Sequence, residues 1–439
     1  MPRVLVLGAG LVAKPLVDYL LRAPGFEVMV ADLLPDKAQA LVAGRPNGRA
    51  EALDIDDENR LSALVAQADL AVSFVPRAFH ARVAAQCLEN RKHLVTASYA
   101  GRDMVALDAE AKARGLIFLN EVGLDPGLDH MEAMRIIHGV RSRGGVVESF
   151  ISYCGGLPAP EANTNPFGYK FSWSPLGVLL ASKSSARYLW NGREISLAPE
   201  NLFDEPASIA LKGLGTFEGY PNRDSLSYLG LYGLSRVKTL LRGTLRYSGW
   251  CRTFKRVNDL NLLDEVEEDF AGNTLREFLA RKMGLAPSQD PAAEFQRRFP
   301  GSEDAEVLGR LKWLGLTGDR PVPAGVNSGL QAMTALMAER LRYEPGERDM
   351  IVLRHELGAA HPDGKKEKII STLIDFGRPG GDSAMSRTVG LPAAVCARLI
   401  LENKIKDRGV IIPTLPDIYQ PVLGELERFG LRFREEKAD

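Results

Sequence analysis

Short apolar runs at residues 4–7, 26–31, 70–75, 93–96 and 116–119 alternate with stretches whose apolar positions recur every three to four residues, at 35–42, 60–66, 80–88 and 104–113. Runs of the first kind fit strands buried on both faces, and those of the second fit amphipathic helices. Strand, helix, strand repetition predicts a parallel sheet with helices on both faces, an α/β fold. After Glu121 the texture changes. Residues 152–169 are rich in Gly, Pro and Asn, which predicts an ordered loop between two strands, and a loop of that length inside a compact domain tends to be functional. From 254 to 314 the pattern is helical and charged, with breaks at Pro287 and Pro300, as in a small helical subdomain. Residues 349–354 and 368–376 read as strands joined by a polar turn containing His361, Pro362, Asp363 and Gly364, and 392–403 as a helix. There is no internal repeat.

Composition narrows the classes. A chain of 439 residues exceeds one ordinary core, so two or three units are expected. Apolar residues at 45% and charged residues at 25% are the balance of a globular protein. Lys+Arg at 55 nearly cancels Asp+Glu at 56, which argues against a nucleic-acid or anionic-membrane surface, and the mixed cluster from Arg432 to the end reads as a solvated terminus. Cys87, Cys154, Cys251 and Cys396 lie far apart with no CxxC and no grouping with the six histidines, so neither disulfides nor a metal site is expected. No uninterrupted apolar window of membrane-span length occurs, and no leader pattern precedes the first strand; a cytoplasmic compartment is the default expectation.

The first apolar run leads into Gly8-Ala9-Gly10-Leu11-Val12-Ala13, spaced GxGxxA. Gly8 permits a tight turn, Gly10 lets a pyrophosphate approach the backbone, and Ala13 allows close helix-to-strand packing; the free N–H groups of the following helix then face the phosphates. Asp32 ends the second apolar run, 22 residues past Gly10. A carboxylate there accepts from the adenosine ribose hydroxyls and repels a 2′-phosphate, so NAD is expected over NADP.

Longer motifs lie further along: NEVGLDPGLDH at Asn120 to His130, YCGGLPAPE at Tyr153 to Glu161, YKFSWS at Tyr169 to Ser174, GYPNRDS at Gly219 to Ser225, and RGTLRY at Arg242 to Tyr247. Together with Thr388 to Ala394, they closely resemble the glutamate-forming saccharopine dehydrogenases, also called saccharopine reductases, and the dehydrogenase half of the bifunctional aminoadipic semialdehyde synthases. The resemblance spans nearly the whole chain. It implies a Rossmann domain over residues 1–125, completed by about 390–439, and an inserted α+β domain over 126–389 for substrate and dimerisation, with the helical subdomain at about 254–316. The large inserted domain gives room for a homodimer interface, and a homodimer is the expectation. Implied cofactor contacts, besides Gly8, are Gly10, Leu11, Val12, Ala13, Ala31, Asp32, Leu33, Asp54, Ile55, Val75, Ala97, Ser98, Leu124, Asp125, Pro126 and Ser174. Implied substrate contacts are Ser98, Tyr99, Asp125, Arg223, Thr244, Leu245 and Arg246. Fungal NADP-dependent members carry a basic residue near the position of Asp32, and this sequence departs from them there.

The implied reaction is the reversible oxidation of saccharopine, with a nicotinamide dinucleotide and water, to glutamate and 2-aminoadipate 6-semialdehyde in lysine metabolism. Its substrate carries three carboxylates and a secondary amine. Arg223 and Arg246 suit bidentate carboxylate recognition, although an arginine taken alone is more often a surface ion-pair partner. Asp125, in the loop after the strand at 116–119, is the candidate to hold the ammonium or take its proton, with Tyr99 assisting. Cys154 reads better as a buried thiol than as a nucleophile. His130 reads as a capping or packing residue. Lys170 reads as either a carboxylate contact or a lysine on a solvated strand face. Two other functions stay open on the sequence: an imine reductase of the carboxynorspermidine type, which needs fewer fixed arginines, and a dinucleotide-binding redox sensor without turnover.

Overall fold

The structure is a computed structural model and describes residues 1–286 and 289–438, the side chains of 437 and 438 excepted. Pro287, one of the two expected breaks, lies outside the described residues. In chain order the strands are β1 (Arg3–Leu7), β2 (Glu27–Asp32), β3 (Gly48–Ala52), β4 (Leu70–Ser73), β5 (His93–Thr96), β6 (Ile117–Leu119), β7 (Val146–Pro158) and β8 (Ala186–Trp190). They continue as β9 (Arg193–Leu197), β10 (Ala207–Leu211), β11 (Gly215–Pro221), β12 (Thr239–Tyr247), β13 (Asp349–Ala360), β14 (Lys366–Phe376), β15 (Gly409–Ile411) and β16 (Arg434–Ala438).

The chain forms two compact units. The first comprises Met1–Val146, His361–Asp363 and Leu373–Glu435. Its sheet runs β15-β6-β5-β4-β1-β2-β3, and every pair is parallel. From β1 the order proceeds outward on both sides, to β2 and β3 on one and to β4, β5 and β6 on the other, which is the doubly wound Rossmann arrangement. Val4, Leu5, Val6 and Leu7 are fully buried in its centre.

Three local features depart from the sequence reading. β3, Gly-Arg-Ala-Glu-Ala, was not expected as a strand: at the sheet edge it has no continuous buried face and so no apolar run. The single helix expected at 104–113 is two short ones, Arg102–Val105 and Asp108–Ala113. The helix expected at 392–403 is Ala384–Leu401, capped by Ser383, with Pro392 in its interior. Its first two turns escaped detection because they bury polar residues. Arg387 reaches Asp375 at 3.1 Å, and the Thr388 hydroxyl donates to the Ala384 carbonyl at 2.8 Å. This is the one helix among the described residues long and apolar enough to cross a membrane, and 83% of it is buried inside the unit. It packs against the helix Ala13–Arg22, where a side chain at Gly390 would come within 2.7 Å of the Val12 carbonyl.

The second unit comprises Val147–Ala360, Gly364–Thr372 and Glu436–Asp439. Its mixed sheet is ordered β10-β11-β12-β7-β13-β14-β16, with β8 and β9 branching from β12. The loop expected at 152–169 is a loop only in its second half; residues 152–158 extend β7, which runs parallel to β12. Glycines occur there because a side chain at Gly155 would meet the Leu245 Cβ and carbonyl at 2.9 Å, so the neighbouring strand excludes one. The helices Trp250–Asp259, Leu275–Lys282, Pro291–Arg298 and Ser302–Leu314 make up the charged helical region.

Candidate active site

In the first unit the expected site residues fall at the carboxyl ends of six parallel strands: Gly8 after β1, Ala31 to Leu33 closing β2, Asp54 and Ile55 after β3, Val75 after β4, Ala97 to Tyr99 after β5, and Leu124 to Pro126 after β6. That edge is where doubly wound folds take their ligands. At Gly8 the backbone is left-handed (φ +100°), and a Cβ would stand 2.8 Å from the Phe74 carbonyl oxygen; two independent restrictions demand glycine. A Cβ on Gly10 would meet nothing within 4 Å. The turn therefore leaves open the volume that a pyrophosphate needs. The helix that follows has neither a side-chain cap nor an acid in its first turn, so its positive end is available to an anion.

Asp32 does more than wait for a ribose. Its Oδ2 accepts the Ala9 N–H at 2.7 Å and its Oδ1 accepts the Leu34 N–H at 2.9 Å, tying the glycine turn to the end of β2. Each carboxylate oxygen has a second lone pair, so a ribose hydroxyl can still donate to it. On either side of this edge Leu11 and Leu33 are 72% and 66% exposed, apolar surface suited to a flat heteroaromatic ring. Ala13 is buried and Val12 half-buried, and the Asp54 carboxylate closes its own turn by accepting the Asp56 N–H at 3.0 Å.

The loops after β5 and β6 are joined. The Tyr99 hydroxyl donates to Asp125 Oδ1 at 3.1 Å. Asp125 sits on a turn so tight that a side chain at Gly127 would overlap the Gly123 backbone at 2.1–2.5 Å. Glu121 holds the same segment from behind: its N–H donates to the Ser98 carbonyl, its carboxylate accepts the Ala100 N–H at 3.0 Å, and its other oxygen meets His130 Nε2 at 2.8 Å. His130 is thus a fully buried structural partner. Glu121 adopts φ +60°, an unusual backbone for a residue with a side chain and one that tends to occur at functional sites. Sequence reading missed Glu121 and also His80, whose ring lies between Ser73 and Ser98. Nothing in their spacing marked them.

In the second unit, Arg246 on β12 is 5% exposed and its guanidinium packs over the rings of Tyr169 and Trp250, at 4.8 and 5.1 Å. Its Nη1 donates to the Leu245 carbonyl, while Nε has no partner, nor does the buried Trp250 indole N–H. Among the described residues no carboxylate lies within ion-pair distance of Arg246. A buried cation without a counterion is costly unless a ligand supplies the anion. Leu245 is buried and Thr244 half-buried, the latter paired in register with Tyr220 and Cys154. Arg223 is exposed at φ +56° in the turn after β11. Ser174 caps the helix Pro175–Ala181 by accepting the Gly177 N–H at 3.2 Å. Lys170 is not on a solvated face: it is buried and bridges Glu347 at 2.5 Å and Thr164 at 3.1 Å. None of the four cysteines is in a disulfide and all are buried, and burial pushes the Cys87 thiol up to about 12.

Sequence comparison extends these observations to whole chains. The family described as saccharopine dehydrogenase NADP binding domain matches residues 4–119, and that described as saccharopine dehydrogenase C-terminal domain matches 123–431. The NADP(+), L-glutamate-forming saccharopine dehydrogenase of Schizosaccharomyces pombe is 37% identical over 450 residues, covering 100% of both chains. The chain belongs to the saccharopine dehydrogenase family. Bovine mitochondrial alpha-aminoadipic semialdehyde synthase matches at 38% identity over 98% of this chain and 47% of its own length. Among solved structures, apo saccharopine dehydrogenase (L-Glu forming) from Saccharomyces cerevisiae superposes with a TM-score of 0.92 at 36% identity, covering 100% of each chain. Within this family frame, the Rossmann unit carries the dinucleotide turn, and the mixed-sheet unit carries the buried Arg246.

Proposed function

We propose that this protein is a glutamate-forming saccharopine dehydrogenase. The carrying observation is Arg246, a buried guanidinium with no carboxylate within ion-pair distance among the described residues, in a chain that matches saccharopine dehydrogenases from end to end. Three carboxylates on the substrate call for fixed cations, and Arg246 and Arg223 are assigned to two of them. The planar guanidinium of Arg246, held over two aromatic rings, loses little freedom on binding and presents paired N–H groups.

The nicotinamide ring supplies a hydride acceptor when the dinucleotide is bound. Gly10 and the uncapped helix start receive the pyrophosphate, and Asp32 receives the ribose. Asp125 takes the proton from the substrate ammonium, directly or through water, so that the nitrogen lone pair can assist departure of hydride from the adjacent carbon; Tyr99 holds Asp125 in place. Water then adds to the resulting imine carbon, and cleavage of the carbon–nitrogen bond releases glutamate and 2-aminoadipate 6-semialdehyde. No covalent enzyme intermediate is needed, which leaves the buried Cys154 without a nucleophilic task.

For the cofactor, the names of the fungal relatives and of the matched domain speak for NADP. Asp32 speaks for NAD. Its carboxylate is fixed by two backbone N–H groups at the ribose position, where a 2′-phosphate would face a like charge. We assign NAD as the preferred cofactor on that ground.

The amine of saccharopine is flanked by two oxidisable carbons, so the products decide the reading. Incubation with saccharopine and dinucleotide is expected to give glutamate and the semialdehyde in equal amounts by mass spectrometry. Lysine and 2-oxoglutarate instead would contradict it.

A further inference from the structure

His80 begins the helix His80–Glu89, and its ring spans the ends of two neighbouring strands. Nδ1 lies 2.8 Å from the Ser73 hydroxyl, the last residue of β4, and Nε2 lies 2.7 Å from the Ser98 hydroxyl, two residues past β5. Ser73 and Thr96 are register partners in those strands, so the ring closes a short buried bridge over the sheet edge. His80 is 6% exposed and Ser73 fully buried, while Ser98 is half-buried on the ligand side. We propose that His80 is a positioning residue which, anchored on Ser73, fixes the orientation and hydrogen-bond role of the Ser98 hydroxyl toward bound dinucleotide and substrate. This rests on the functional reading above, which places Ser98 in the site.

The chemistry of imidazole makes the bridge directional. A neutral ring has one N–H and one lone-pair nitrogen, so one serine donates to it and the other accepts from it. Burial, reinforced by the charge of Arg77, lowers the imidazole to about 4, which keeps the ring neutral at working pH. The role of Ser98 is therefore tied to that of Ser73, a residue with no exposed surface. Glu121 fixes the Ser98 carbonyl and the Ala100 N–H, but neither contact sets the hydroxyl. Among the described residues His80 is the partner of the Ser98 hydroxyl; the Ser98 N–H is spent on Thr96 Oγ1 at 3.3 Å.

The test is a double-mutant cycle between His80→Phe and Ser98→Ala, read both as dinucleotide Kd by fluorescence titration and as kcat/KM for saccharopine. His80→Phe keeps a planar aromatic ring, slightly larger, and removes both nitrogens. It is expected to weaken binding and kcat/KM by about tenfold in the wild-type background, and by less than about twofold once Ser98 is alanine. His80→Gln, which offers one donor and one acceptor, is expected to recover at least half of the loss on the logarithmic scale. Equal effects of His80→Phe in both backgrounds, or no effect in the first, would overturn the proposal. If the phenylalanine variant does not fold, Ser73→Ala enters the same cycle with the same two outcomes. A wild-type chain that binds dinucleotide but leaves saccharopine untouched would end the functional reading, and the binding cycle would still decide the role of His80.

Discussion

The Tyr99 hydroxyl donates to Asp125 at 3.1 Å, a side-chain tie between the loop after β5 and the loop after β6 at the carboxyl edge of the sheet. The two residues have unequal tasks in the proposed mechanism. Asp125→Asn removes the proton acceptor and keeps the shape, so kcat is expected to fall about 100-fold or more. Tyr99→Phe removes only the tether and is expected to cost about tenfold. Steady-state rates over a pH series check both, and an Asp125→Asn variant with wild-type kcat and pH profile would refute the assignment.

The two glycines of the dinucleotide turn are expected to fail in different ways. Gly8→Ala places a Cβ 2.8 Å from the Phe74 carbonyl at a left-handed φ, so the fold itself is expected to lose about 1–3 kcal/mol. The Cβ of Gly10→Val would meet no protein atom within 4 Å, so the melting temperature is expected to hold while dinucleotide affinity drops about 100-fold. Thermal melts beside binding titrations separate the two. A Gly10→Val variant that binds normally would show that the pyrophosphate lies elsewhere.

Asp32→Ala tests the cofactor assignment. Loss of the carboxylate removes the acceptor for the ribose and the repulsion of a 2′-phosphate, so the ratio of kcat/KM for NAD to that for NADP is expected to fall about tenfold or more. An unchanged ratio would mean that Asp32 serves only the backbone groups of Ala9 and Leu34.

In the helical region the buried Asp304 carboxylate takes hydrogen bonds from Arg252 and Arg256. Burial works against its charge, but the two arginines outweigh it and hold the carboxyl below its usual range. Because both arginines are partly solvated, Asp304→Asn is expected to cost about 2–3 kcal/mol at neutral pH, at the lower end for a broken buried pair. A depressed carboxyl pKa stabilises above the unfolded value and loses that stabilisation as pH falls through the folded one. The gap between wild type and variant in denaturant unfolding should therefore be full at neutral pH and close below about pH 4.

Much of the nucleotide unit was legible because its strands are buried on both faces: Val4 to Leu7 and Leu70 to Val72 read as continuous apolar runs, and the glycine spacing named the turn. What escaped had a physical reason in each case. β3 is an exposed edge with no apolar signal, and the first turns of Ala384–Leu401 hide Arg387 and Thr388 in a core where periodicity expects apolar side chains. In the second unit, β7 pairs with β12 across about ninety residues of chain, and no local pattern specifies a partner so distant. The site residues came from long motifs. His80 and Glu121 hold the site segment from behind, where neither charge nor spacing reveals them, and the sequence left Lys170 open between a carboxylate contact and a solvated strand face because Glu347, its counterion, lies far along the chain.

The most direct measurement is the initial rate of dinucleotide reduction with L-saccharopine as the only amine, run with NAD and NADP side by side. The expected result is a rate that saturates with saccharopine, a higher kcat/KM for NAD, and collapse of that rate when Arg246 is replaced by methionine. No reduction of either dinucleotide by the wild-type protein would contradict the central claim.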